Sequence, residues 1–179
     1  MIERYQKGHV NGFVPLRSGN MVHLMIPKCG TNTVAEVLQH RNGWERFREK
    51  MFDEEWEYTA IVRHPVDRWV SGAMQYEQGG QQRRHGSVDN AIKKMVFDCH
   101  TAPQYLWLMG FDGHVNLKLF KLEHIKRLWE HLGITNWRGV HKQKRIYFPG
   151  RSKLVLEEKH EERIMDHYAE DMRLYERAE

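Results

Sequence analysis

Cysteine and proline are scarce in this chain, and long apolar runs are absent. Cys29 and Cys99 are the only cysteines in 179 residues, which gives neither a disulfide framework nor a zinc-ligand spacing. No apolar stretch approaches the ~20 residues that span a bilayer. The opening MIERYQKGHVNGFVPL carries no signal-peptide core. The expectation is a cytoplasmic protein, or one trimmed of an anchor, with no membrane span. Internal repeats, low-complexity tracts and dividing linkers are also missing, so 1–179 reads as a single domain. A strong excess of one charge sign is lacking too. Lys and Arg number 28 against 24 Asp and Glu, a net +4 with twelve histidines besides. That balance favours anionic ligands without choosing among them, and an ordinary solvated surface explains it as well. The basic residues lie scattered among acids and the aromatics sit at core spacings, so no stacking platform for nucleic acid is visible.

What remains is material for a core. Hydrophobic residues make up 40% of the chain, with six Trp, seven Tyr and seven Phe. MVHLMI (21–26) reads as a strand covered on both faces, and the helix after it carries Val34, Val37 and Leu38 on one side. The spacing of Trp44, Phe47 and Met51 predicts a short helix. YTAIV (58–62) is a second strand, followed by an amphipathic helix with Val66, Trp69, Val70, Ala73 and Met74 on one face and Pro65 near its first turn. A helical face of Val88, Ile92, Met95, Val96 and Cys99 comes next. HVNLKLF alternates as a strand, EHIKRLWEHLG is a helix stopped by Gly133, and Ile164, Met165, Tyr168, Met172 and Tyr175 mark one long closing helix. Strands alternating with helices predict an α/β fold built on a mainly parallel sheet.

Ligands of such sheets sit at the carboxyl ends of strands, and two unusual stretches fall there. In IPKCGTNTVAEVL an apolar strand turns into a helix through Lys28, Cys29, Gly30, Thr31, Asn32 and Thr33. A helix start has free N–H groups and a partial positive charge, Gly30 permits close approach, the hydroxyl residues can cap or donate, and Lys28 adds a full charge. A capped turn with a surface lysine is the plainer reading of the same residues. In AIVRHPVDRWVSGAMQY, Arg63 closes a strand and Ser71 follows eight residues later on a helix. A guanidinium fork and a hydroxyl so placed can clamp one phosphate; a surface ion pair and a filler serine are the alternative.

Together the two stretches resemble the sulfotransferases that use 3′-phosphoadenosine 5′-phosphosulfate (PAPS). That family's first signature is a strand followed by Pro-Lys-x-Gly-Thr, which binds the 5′-phosphosulfate. Its second is a strand ending in Arg-x-Pro, then Arg and Ser, which bind the 3′-phosphate. The order G-x-x-x-x-G-K-[ST] of nucleoside triphosphatases is absent, since the lysine precedes the glycine. DCHTAPQYLWL (98–108) is similar to the His-x-x-Pro-Gln element of Golgi-type carbohydrate sulfotransferases, and the likeness runs over about residues 21–177. The resemblance implies a P-loop-like, three-layer fold with the sheet between helices. It implies PAPS as donor, adenosine 3′,5′-bisphosphate as product, no metal, and a hydroxyl acceptor such as a carbohydrate. Lys142, Lys144 and Arg145, in the basic loop HKQKRIYFP, fall where such enzymes place a lid over the nucleotide. The short chain, without anchor or cysteine pairs, departs from the Golgi enzymes and points to a bacterial or virus-infected cell.

Roles follow from the chemistry of sulfuryl transfer. Lys28 is expected to meet the charge that develops on the leaving oxygen, with N–H groups of residues 30–33 as a cradle. His100 is the candidate base for the acceptor hydroxyl, against a capping or surface histidine. Gln104 would orient the acceptor or the histidine. His64 reads as structural, and Cys29 as loop filler rather than a nucleophile. GGQQRRHG (79–86) and the Trp107 region are candidates for the acceptor side, and equally ordinary as loop and core. The rival readings are a nucleotide or nucleoside kinase with a degenerate phosphate loop, and a sulfotransferase-like binder without chemistry. Oligomeric state stays open.

Overall fold

The computed structural model describes residues 14–47, 55–78, 87–111, 116–138 and 154–179. Five strands form one mixed sheet flanked by helices, in the order β3-β1-β2-β4-β5. The strands are β1 (Leu16–Ser18), β2 (Met21–Leu24), β3 (Glu45–Arg46), β4 (Glu57–Val62) and β5 (Leu117–Lys121). Strand β4 is buried from Tyr58 to Val62 and lies parallel to both β2 and β5. A continuous apolar run is what a doubly covered parallel strand requires.

The expected parallel order stops at β2. Only two residues, Gly19 and Asn20, separate β1 from β2, and a connection that short pairs strands antiparallel. Strand β3 adds antiparallel to β1, with Leu16 opposite Arg46. This corrects the short helix expected from Trp44 and Phe47, since residues 45–46 are an edge strand. Its flanks, Trp44 and Phe47, are buried while Glu45 and Arg46 are exposed, a spacing of three that helix and edge both satisfy. The Arg17 guanidinium lies 4.0 Å from the Trp56 ring centroid and 5.1 Å from that of Phe47, covering this corner. Met51 lies outside the described residues.

Seven α-helices are described: α1 (Thr31–Ala35), continued by a π-helical stretch Glu36–Arg41, α2 (Pro65–Gln78), α3 (Val88–Lys94), α4 (Tyr105–Leu108), α5 (Ile125–His131), α6 (Glu158–His167) and α7 (Ala169–Arg177). None is long and apolar enough to cross a membrane. Two apolar clusters organise them. The larger one gathers the sheet with Val34, Val37, Leu38, Leu108, Leu128, Trp129 and Leu174. The smaller joins α2, α3 and α6 through Trp69, Ala73, Ala91, Ile92 and Ile164.

Two expected helices are shorter than their apolar patterns. Helix α3 ends at Lys94, because Met95 takes a left-handed φ of 55° and its carbonyl accepts from Trp69 Nε1 at 2.8 Å. The one long closing helix is broken at Tyr168, whose hydroxyl donates to Thr101 O at 2.6 Å. Both breaks tie α2 and α6 to residues 95–101, the segment that carries His100. Gly72 brings that segment still closer. A Cβ there would lie 2.6 Å from His100 O and 2.8 Å from Thr101 Cγ2, so only glycine admits the contact.

Candidate functional site

Beyond β2 the chain passes through Met25, Ile26 and Pro27, all buried, and emerges at Lys28. Lys28 has a φ of 66°, unusual for a residue with a side chain, at a cost of about 1–3 kcal/mol that its surroundings must offset. They do so with cations. Arg68 Nε donates to Pro27 O at 3.0 Å and Arg63 Nη1 reaches Lys28 O at 3.5 Å. Gly30, at φ 80°, is the N-cap of α1, and a Cβ there would meet Leu122 Cδ1 at 2.7 Å. No side chain caps this helix, so Thr31, Asn32 and Thr33 occupy its first turn without capping it.

Arg63 stands at the end of β4, one strand over from Lys28 and parallel to it. Its peptide is gripped by the Gln104 amide, which accepts from Arg63 N at 2.8 Å and donates to Arg63 O at 2.8 Å. The same amide oxygen accepts from the Cys29 thiol at 3.0 Å. Gln104 therefore joins the two strand-end loops inside the protein. It is fully buried, which corrects its expected role toward an acceptor. Asp171 on α7 completes the joint by accepting from Gln104 N at 2.7 Å and Tyr105 N at 2.9 Å. Burial pushes the Asp171 carboxyl above the usual carboxylate range, and the Arg68 charge opposes it. Cys29 is buried as well, and its thiol is pushed up to about 11. It is a protonated filler, and its own N–H is spent on Ile26 O at 3.2 Å.

Arg68 is the least expected member. It is 1% exposed on α2, and its Nη2 has no hydrogen-bond partner among the described residues. Together with Arg63 it bears on Lys28, whose pKa falls to about 8, first through burial and then through these two charges. Three cations thus converge on the loop after β2, with Asp98 acting on Lys28 and Asp171 on Arg68.

His100 comes from a turn, because the helical face that the sequence carries on to Cys99 ends at Lys94. Asp98 builds the turn by accepting from His100 N through Oδ1 at 2.8 Å, while its carbonyl takes Ala102 N at 3.0 Å. Asp98 Oδ2 then faces His100 Nδ1 at 3.2 Å. That bond, followed by the one to Cys99, pushes His100 up to about 9. On its other side, His100 Nε2 meets Gln75 Nε2 at 3.1 Å, and Gln75 Oε1 accepts from Lys28 Nζ at 2.6 Å. Lys28 and His100, far apart in sequence, are thereby linked through one side chain.

Arg68 is the arginine that follows Arg-x-Pro in the second motif, whereas the sequence assigns no role to Gln75 or Asp98, although a signal for Gln75 is available. Arg68, Ser71 and Gln75 lie at i, i+3 and i+7, one face of α2. Half-buried Ser71 sits one turn before Gln75. His64 rests edge-on against Tyr175 at 5.4 Å, and Trp107 packs on the larger apolar cluster, both as structural side chains. Lys142, Lys144, Arg145 and the stretch 79–86 lie outside the described residues. For a metal, the described residues offer the Asp98, Cys99 and His100 ligand atoms within 4.8 Å of one another. The closest pair of these is already the Asp98–His100 hydrogen bond. Comparison with family models, curated proteins and solved structures finds no match to this chain.

Proposed function

We propose that this chain is a PAPS-dependent sulfotransferase of P-loop-like, three-layer α/β architecture, acting on a hydroxyl acceptor of carbohydrate type. The observation that carries the reading is the meeting of Lys28 and Arg63, at the ends of neighbouring parallel strands, with His100 from the turn at 98–101, one amide standing between lysine and histidine. A donor with two anionic groups fits a loop on which three cations converge, one of them a buried guanidinium with an unused N–H group. Arg63 and Ser71 would hold the 3′-phosphate. Lys28 and the N–H groups of residues 30–33 would hold the 5′ side, with Lys144 and Arg145 closing over it.

PAPS, when bound, supplies a sulfuryl group on an activated phosphate. His100 Nε2 takes the proton of the acceptor hydroxyl as the new S–O bond forms. Lys28 donates to the oxygen that leaves sulfur and keeps the electron pair. Asp98 holds the histidine ring through Nδ1, which leaves Nε2 as the atom that accepts.

Calorimetry with adenosine 3′,5′-bisphosphate, AMP and ATP tests the donor site. Each charge-assisted contact is worth about 1.5–3 kcal/mol, so the bisphosphate should bind at least ~10-fold tighter than AMP. Arg63→Ala should remove that preference and leave the melting temperature near wild type. Equal affinity for AMP and bisphosphate in the wild-type protein would overturn the assignment. Preference for the bisphosphate without turnover on any hydroxyl panel would favour the non-catalytic binder.

A further inference from the structure

The bridge between Lys28 and His100 has a chemical direction. An ammonium offers only donors, so the Gln75 oxygen is committed to Lys28 Nζ, 2.6 Å away. The Gln75 nitrogen must then donate, and the atom it faces, His100 Nε2 at 3.1 Å, must carry a lone pair. The histidine proton accordingly sits on Nδ1, toward Asp98 Oδ2. A doubly protonated His100 would set two donors against each other unless the amide turned over. After turning, the amide nitrogen would face Lys28, which then must be neutral or leave.

We propose that Gln75 is a proton-coupling residue: its amide can satisfy a charged Lys28 or a charged His100, one at a time. Charge on the lysine therefore disfavours charge on the histidine, and a lysine drawn away toward an anion eases the histidine's gain of a proton. The proposal deepens the transfer reading of this site. As the acceptor O–H proton moves to His100 Nε2, the new S–O bond forms, the old one breaks with its electron pair on the phosphate oxygen, and Lys28 turns to that oxygen. Gln75 Oε1, freed, accepts from the new N–H of His100. Gln75 is exposed near the end of α2, so its amide has room to rotate.

The surrounding charges make this competition close. Burial presses Lys28 to give up its proton, with Arg63 and Arg68 acting the same way, while Asp98 favours keeping it. Asp98 and Cys99 press His100 to gain one. Behind them Asp171 faces Arg68 and Cys29. The hydrogen bond from Gln75 thus opposes the protonation that Asp98 and Cys99 favour.

The test is nuclear magnetic resonance of the His100 ring nitrogens in ligand-free protein labelled on histidine, which needs no nucleotide. Once the ring is neutral, above about 9, the wild type should show the Nδ1–H tautomer. Gln75→Leu should raise the His100 pKa by about one unit, the worth of the lost bond to the neutral ring. Added apolar bulk alone would lower it. Gln75→Glu, an acceptor toward both sides, should raise it further. Lys28→Met should raise the pKa clearly in the wild-type background and less in Gln75→Leu, where only through-space repulsion is relieved. A lowered pKa in Gln75→Leu, or equal effects of Lys28→Met in both backgrounds, would overturn the coupling. Loss of bisphosphate binding with the coupling intact would instead overturn the sulfotransferase reading alone.

Discussion

The loop after β2 and the turn at residues 98–101 face each other and are built on opposite principles. The loop is held from below by buried Arg68, half-buried Arg63, the buried Gln104 amide and, through it, Asp171. The turn is held from within, by one aspartate that bonds its own neighbours. The first arrangement strips water and crowds positive charge, so the lysine loses basicity, from 10.5 to about 8. The second sets a carboxylate against the ring, so the histidine gains basicity, from 6.5 to about 9. Environment has inverted the usual order of lysine and histidine. A pair arranged this way suits a reaction that needs a cation on one side and a base on the other.

Removing either member gives the largest expected effect and separates the two sides. His100→Ala should lower single-turnover transfer by roughly 10²–10⁴-fold with bisphosphate affinity and melting temperature near wild type. Lys28→Ala should cost about 2.7–4 kcal/mol in the transition state, with a smaller loss of nucleotide affinity. If His100→Ala instead melts early and transfers at the wild-type rate, the histidine is a structural cap and the base lies elsewhere.

A smaller effect tests how the two sides are brought together. Gly72→Ala places a methyl 2.6 Å from His100 O, against backbone that cannot yield as a flexible side chain would. Overpacking of this kind costs about 1–3 kcal/mol and should push His100 away from Gln75. The expected outcome is a lowered melting temperature together with loss of the Nδ1–H tautomer. A stable Gly72→Ala protein with an unchanged His100 spectrum would show that α2 does not set the distance.

These contrasts also explain what the sequence disclosed. Both parallel strand ends and the helix after Pro65 were legible, since continuous apolar runs and a helical face are local patterns. The hairpin of β1 with β2 and the edge strand β3 were not, because two- and three-residue strands carry no periodicity of their own. Lys28 and Arg63 stand out through motif and strand-end position, and His100 through the His-x-x-Pro-Gln element alone. Gln104 was misjudged because its neighbours describe a surface turn, whereas its partners Arg63, Cys29 and Asp171 come from three distant segments. By its sequence Gln75 is one more polar residue on the outer face of an amphipathic helix. Its meaning depends on what α2 is laid against.

The finest prediction concerns pH. Transfer requires Lys28 charged and His100 neutral, while Lys28 loses its proton near 8 and His100 near 9. Below that range His100 is increasingly protonated and cannot accept; above it Lys28 is neutral and cannot meet the leaving charge. The rate should therefore form a narrow bell with its optimum between about 8 and about 9. The productive form is the one with the proton on the weaker base, so it is a minor fraction even at the optimum. Asp98→Asn removes the first cause of the histidine's shift. His100 should then fall toward its ordinary value of about 6.5, which carries the acid limb down with it. The same change withdraws a carboxylate that supports charge on Lys28, so the alkaline limb moves down slightly as well. The bell should widen and its optimum should move to about 7, even as ring positioning is weakened and the maximal rate falls. Rate profiles of the two proteins under single-turnover conditions check this. An optimum that stays where the wild type has it would mean that the limbs belong to groups other than this pair.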